Sequence, residues 1–202
     1  MRDYFLGYFQ GLKETLDKID LGTLSKVNSL LFRTLENDQQ IFTMGNGGSG
    51  STASHIVGDL NKGLSFDGNK RFKAICLNDN IRTLLAYAND VAYDQVFVQP
   101  LRNFMKKGDI VIGFSGSGNS ENVLQAVEYA NQNDGITVGF SGFDGGKLAK
   151  HAQFPIIAPI HDMQKCEDVH LILCHMTMQT MGQWLISGKN GKRNLSSPAW
   201  TD

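Results

Sequence analysis

Apolar residues in the first forty positions recur every three or four residues, which predicts two amphipathic helices. Tyr4, Phe5, Tyr8, Phe9, Leu12, Leu16 and Ile19 form one stripe; Leu24, Val27, Leu30, Leu31 and Leu35 form the next. Leu21-Gly22-Thr23 is the break between them, with Thr23 expected as the N-cap. The aromatic stripe of the first helix suits either a core or a face that packs against another subunit. From residue 41 the pattern changes. Short, continuous apolar runs at 41–44, 72–77, 109–114, 136–140 and 154–157 read as strands. Between them lie helix-period stretches: one ending near 60, then 82–88, 93–105 with a break or kink near Pro100, 120–133, 146–151 and a closing helix at 167–185. Pro155 makes the last strand an edge strand. Strands that are apolar throughout and alternate with helices imply an α/β fold, a doubly wound parallel sheet covered on both faces. In such folds ligands collect at the C-terminal strand ends, where the loops after Met44, Phe114 and Phe140 lie.

Two of those loops have the composition of an anion site. The first runs Gly45-Asn46-Gly47-Gly48-Ser49-Gly50-Ser51-Thr52 between a strand and a helix. Glycines let the backbone approach a guest, and a helix's first turn has N–H groups without partners. Gly45, Gly47 and Gly50 match the dinucleotide spacing, with Asp67 about where a ribose-binding acid would be sought. The second loop, Ser115-Gly116-Ser117-Gly118-Asn119-Ser120, packs three hydroxyls and two glycines ahead of a helix. Ser120 or Asn119 is placed to N-cap that helix, and Glu121 suits its dipole. Open N–H groups and hydroxyls with little positive charge suit a phosphate monoester, which makes a nucleotide the weaker guest. Each loop also has a plain reading as a well-capped turn.

Composition narrows the class. The chain has 202 residues, 41% hydrophobic and 19% charged, enough for one sizeable domain or two small ones. A net charge of −1 argues against a broad electrostatic footprint, so neither nucleic acid nor an anionic membrane is expected as a partner. No apolar run is long enough to span a bilayer, and Met1-Arg2-Asp3-Tyr4 does not open a secretory segment. Cys76, Cys166 and Cys174 are an odd set in apolar surroundings, which fits a reducing cytoplasm. Residues 191–202 read as a loose tail.

Taken in order, several motifs resemble the sugar isomerase (SIS) domain, and within it the phosphoheptose isomerase family. They are Gly45-Asn46-Gly47-Gly48-Ser49, His55 with an acid four residues on, Ala88-Asn89-Asp90, the serine loop, and Asp144-Gly145-Gly146-Lys147-Leu148. The resemblance covers nearly the whole chain. It implies one flavodoxin-like three-layer domain over residues 1–190, with the helical pair at 1–38 used in oligomerisation. It implies a homotetramer with active sites between subunits, one zinc ion per site, and interconversion of sedoheptulose 7-phosphate and D-glycero-D-manno-heptose 7-phosphate on the way to activated heptose. Residue by residue, Ser115, Gly116, Ser117 and Ser120 match the phosphate cradle. Asn46, Gly47, Gly48 and Ser49 match a substrate-contacting loop, as do Asn89 and Asp90. His55 matches a zinc ligand, Asp59 a glutamate that is both ligand and catalytic base, Glu167 a glutamine ligand near the substrate, and His175 a metal-binding catalytic histidine.

Asp59 and Glu167 depart from that pattern. The first shortens an acid by one methylene and the second adds a charge; both keep oxygen donors for a cation. His55 and Asp59 are i and i+4, on one helix face. Glu167 and His175 are eight residues apart, roughly 12 Å along a helix, so they share an ion only if both lean inward and otherwise serve neighbouring sites. His170 reads as a packing residue, and the cysteines as small buried ones. In the isomerisation that the resemblance implies, Asp59 is the C–H base and His175 the partner acid/base. Two other functions remain open: a non-catalytic SIS module that binds a sugar phosphate or a replication-initiation protein, and an isomerase or lyase acting on another ketose phosphate.

Overall fold

The computed structural model describes residues 1–65 and 70–190. Asp67 and the tail at 191–202 lie outside the described residues. Five parallel strands form one sheet: β1 (Gln40–Gly45), β2 (Lys73–Cys76), β3 (Ile110–Ser115), β4 (Ile136–Gly142) and β5 (Phe154–Ala158), in the order β2-β1-β3-β4-β5. The order reverses at β1, whose neighbours are β2 and β3. The crevice between the C-terminal ends of β1 and β3 is therefore the switch point where a doubly wound sheet receives ligands. Gly45 pairs with Phe114 there, so the glycine loop and the serine loop leave the sheet side by side.

Alternation along the strands builds the two cores. Ile41, Ile110, Ile112, Phe114, Val138 and Phe140 face one side. They pack under α2 (Leu21–Glu36), α3 (Gly47–Gly58) and α8 (Met163–Asn190). Phe42, Met44 and Val111 face the other side. They meet α5 (Val98–Phe104), α6 (Glu121–Gln132) and α7 (Leu148–His151). Both sides of a central strand are apolar because both are covered, the reason the runs read as continuous. α4 (Ile81–Asp90) sits at the edge of this second layer with no buried residue. α1 (Arg2–Leu16) lies outside the first layer, against α8.

Some expected boundaries move. α2 starts three residues earlier, because Asp20 and not Thr23 is its N-cap: Asp20 Oδ1 accepts from Gly22 N at 2.9 Å and from Thr23 N at 3.1 Å. A carboxylate satisfies two orphan donors and suits the helix dipole, whereas Thr23 Oγ1 donates to Asp20 Oδ2. The stretch at 93–105 is a 3₁₀ turn, Tyr93–Gln95, followed by α5. Pro100 stands in the first turn of α5, where its missing N–H has no intrahelical partner to lose, so it marks no kink. α8 begins at Met163, with Asp162 Oδ1 accepting from Lys165 N at 3.2 Å. β5 is at the edge, as Pro155 requires. The aromatic end of the first stripe is not core in this chain, Tyr4 being 76% and Phe9 66% exposed, while Leu12, Leu16 and Ile19 at its other end join the core. Tyr8 anchors the helix instead, donating to Asp168 Oδ2 at 2.6 Å under the cation of Lys165.

Candidate active site

At the switch point two helices begin without a side-chain bond from the N-cap residue. β1 runs into Asn46, the N-cap of α3, whose side chain makes no capping bond. Gly47 has φ +55, a conformation that favours glycine, and it turns the chain into the helix. Asn78 clamps the strand end, donating Nδ2 to Gly45 O at 2.7 Å while Gly45 N donates to its Oδ1 at 3.2 Å. In the second loop Gly118 has φ +66 and Gly118 N closes a turn on Ser115 O at 2.8 Å. Ser120 occupies the N-cap of α6, yet its hydroxyl pairs with Ser115 Oγ at 3.0 Å and caps nothing. Ser117 Oγ accepts from Asn119 N, and Leu148 N donates to Gly118 O, which ties this loop to the one after β4. Ser115, Gly116, Ser117 and Ser120 thus curl around the first turn of α6, whose free N–H groups and hydroxyls suit a phosphate.

A second cluster lies two turns along α3. α3 and α8 pack side by side, and Asp59 and His175 enter one cleft of about 660 Å³ with His55, Lys62, Met178 and Gln179. His55 Nε2 is 2.9 Å from His175 Nε2 and 3.5 Å from Asp59 Oδ2. At 2.9 Å the two ring nitrogens cannot both carry protons, so at least one lone pair faces inward. Asp59 opens a π-helical turn, Asp59–Gly63, closed by Leu64 N on Asp59 O at 2.9 Å. Such widened turns often mark functional sites. Asp59 Oδ2 is buried without a hydrogen-bond partner among the described residues. An orphaned carboxylate oxygen beside two imidazoles is a donor set in want of a cation, and one ligand atom from each of the three residues lies within 4.8 Å of the others. The chemistry of the three residues fits a divalent metal.

Of the four expected ligands, His55, Asp59 and His175 stand together in one chain, and Glu167 stands apart from them. Glu167 and His175 meet different points of α3: a Cβ added at Gly48 would strike the Glu167 carboxylate, while His175 reaches His55, seven residues further on. A regular helix keeps the two side chains on separate turns. Asn89 and Asp90 end α4 exposed, Asn89 Nδ2 donating to Asp90 Oδ1 at 2.7 Å; they do not line the cleft of their own chain. The serine loop does not line it either.

Among the other candidates, Cys76, Cys166 and Cys174 are free and buried. Burial pushes all three thiols up, and for Cys174 the charge of Asp59 adds to it, so the sulfur nearest the cluster stays protonated. His170 packs as expected, its ring edge against Phe140 and its Nε2 donating to Ser141 O at 3.0 Å. Burial pulls it down to about 4. Sequence reasoning missed Asn78, Tyr93 and Asn122. Tyr93 OH and Asn122 Nδ2 both donate to Asn46 Oδ1 at 2.9 Å. The usable signal was an asparagine just after a strand and another two residues past Ser120.

The fold and these loops define an SIS-domain protein: the SIS domain family matches residues 5–142, more than half of the chain, which belongs to it. The phosphoheptose isomerase of Helicobacter pylori is 36% identical over 172 residues, 85% of this chain and 88% of that protein. That of Aliarcobacter butzleri is 31% identical over 183 residues, 89% and 96% of the two chains. Among solved structures, the phosphoheptose isomerase of Neisseria gonorrhoeae superimposes with a TM-score of 0.80 at 27% identity, covering 89% of this chain and 95% of that one. Within the SIS proteins this chain belongs to the phosphoheptose isomerase family, and it is an isomerase.

Proposed function

We propose that the chain interconverts sedoheptulose 7-phosphate and D-glycero-D-manno-heptose 7-phosphate through a cis-enediol, the entry to activated heptose. The observation that carries the reading is the meeting of Asp59 in one cleft with His175, which lies 120 residues along the chain from His55. Aldose–ketose exchange needs one group to carry a proton between C1 and C2 and another to move one between the two oxygens. Asp59 takes the first role and His175 the second. The serine loop holds the phosphate, and Asn46, Gly47, Gly48 and Ser49 meet the sugar. Glu167 belongs to the sugar side, because its carboxylate lies over Gly48. Asn89 and Asp90 serve a sugar contact. His55, Asp59 and His175 would hold zinc, whose chemistry is to polarise the carbonyl and enediolate oxygens.

Two observations support a site completed between copies in a homotetramer. The cleft of one chain lacks the serine loop, and the aromatic face of α1 stands open. Three free thiols suit the cytoplasm, where the reading places the reaction. Among the described residues no helix is long and apolar enough to cross a membrane. We take residues 1–190 as one domain, with 1–38 as its assembly element.

Chelator-treated protein incubated with sedoheptulose 7-phosphate, with and without added zinc, tests this directly, NMR following the aldose product. Turnover that returns with zinc is expected. Binding of the sugar phosphate without turnover in either condition would leave a regulatory module; turnover of another ketose phosphate alone would change the substrate. Asp59→Asn should abolish hydrogen exchange at C1 and C2 while sugar-phosphate binding persists, and undiminished exchange would remove Asp59 from the base role.

A further inference from the structure

Asn46 behaves unlike an ordinary N-cap. An asparagine there normally accepts from an N–H of the first turn, but this one makes no such bond. Its Oδ1 accepts from Asn122 Nδ2 and from Tyr93 OH, each at 2.9 Å, and its Nδ2 donates to Asn122 Oδ1, also at 2.9 Å. Both lone pairs of Oδ1 are therefore in use, which fixes which way the amide is turned. Asn122 is 2% exposed, in the first turn of α6. A buried primary amide is costly unless paired; here the reciprocal pair with Asn46 supplies the partner of its Nδ2, and its Oδ1 also accepts from Val123 N at 3.0 Å. Tyr93 is 55% exposed and contributes little to the core, yet its phenol reaches across to the glycine loop. The three side chains join three segments: the glycine loop, the helix that follows the serine loop, and the chain just beyond Asn89 and Asp90.

We propose that Tyr93 and Asn122 are positioning residues of the isomerase, holding the Asn46 amide away from the start of α3. With the cap withheld, the N–H groups of Gly48 and Ser49, which the helix itself cannot satisfy, stay open to oxygen atoms of a sugar phosphate. The second Nδ2–H of Asn46 is likewise left over from the reciprocal pair, a donor turned the same way in every molecule. The catalytic part of this assignment rests on the isomerase reading above; the geometric part does not.

Two variants separate positioning from mere support. Tyr93→Phe removes one bond from an exposed ring and should leave the melting temperature nearly unchanged. It should lower kcat about tenfold with KM moving much less, the split expected when register and not ground-state binding is lost. Asn122→Asp keeps the shape but removes the Nδ2 donor, and should lower kcat about a hundredfold. Wild-type kcat in both variants, or a rise in KM alone, would overturn the proposal. Amide hydrogen exchange in the free protein gives an answer independent of turnover. Gly48 and Ser49 should exchange freely in the wild type and become protected in Asn122→Asp, as Asn46 returns to cap α3. Equal exchange in the two proteins would overturn the geometric part even if the enzyme is active. A wild type that does not isomerise sedoheptulose 7-phosphate, yet shows the exchange difference, would remove the substrate reading and leave the clamp.

Discussion

At position 48 the lack of a side chain leaves room for a distant one. The Glu167 carboxylate fills the place where a Cβ would stand, and both belong to the sugar side of the proposed site. Gly48→Ala is a good helix substitution locally, since alanine has the higher propensity. It should nevertheless lower kcat/KM at least about tenfold, because Glu167 must move by a distance that matters to a reacting sugar. Steady-state kinetics beside a melting curve check this: activity should fall while the melting temperature holds. Gly47 differs in kind, its φ of +55 being a backbone demand with open space around it. The motif was legible as glycines, but the reason for each was not, since one answers to the backbone and the other to a carboxylate 119 residues away.

α8 joins the site to the core. Its residues alternate between the cleft and the sheet, with His175 on one face and His170 on the other. His170 is fully buried among Phe114 and Phe140 and is held neutral, at about 4 against an ordinary 6.5. The unfolded chain therefore binds a proton that the native one refuses between those values. The stability that His170 contributes is complete above pH 6.5 and is lost as the pH falls toward 4, by up to roughly 3 kcal/mol. His170→Gln can keep the bond to Ser141 O without titrating. Urea unfolding at pH 7 and at pH 4.5 should show a smaller loss in the variant than in the wild type; equal losses would assign the acid sensitivity elsewhere. The helix itself was readable from its period, but its early start was not. That depends on Asp162 and Lys165, polar residues that carry no periodic signal.

In the whole molecule the aromatic end of α1 stands uncovered. Tyr4, Phe5, Leu6 and Phe9 are more than half exposed, and Tyr8 with Asp168 fixes the helix that carries them. A contiguous aromatic face on a rigid helix is an association surface by default. If α1 assembles the proposed tetramer, Phe5→Asp with Phe9→Asp should shift sedimentation to smaller species and lower kcat sharply, because the cleft of a single chain lacks the serine loop. A variant that stays fully assembled would move the interface elsewhere. A variant that dissociates and keeps its activity would show that one chain suffices.

Periodicity and loop composition alone determined the doubly wound class, the two glycine- and serine-rich turns ahead of helices, and the shared helix face of His55 and Asp59, because strand alternation, helix stripes and i, i+4 spacing are local properties. Tertiary structure decided which groups meet. Packing of α3 along α8 set His175 beside His55 and sent Glu167 to Gly48, although both lie on one helix. It also drew Asn46, Tyr93 and Asn122 together from three separate segments. Such contacts depend on helix axes and strand order, and no spacing within a single segment encodes them.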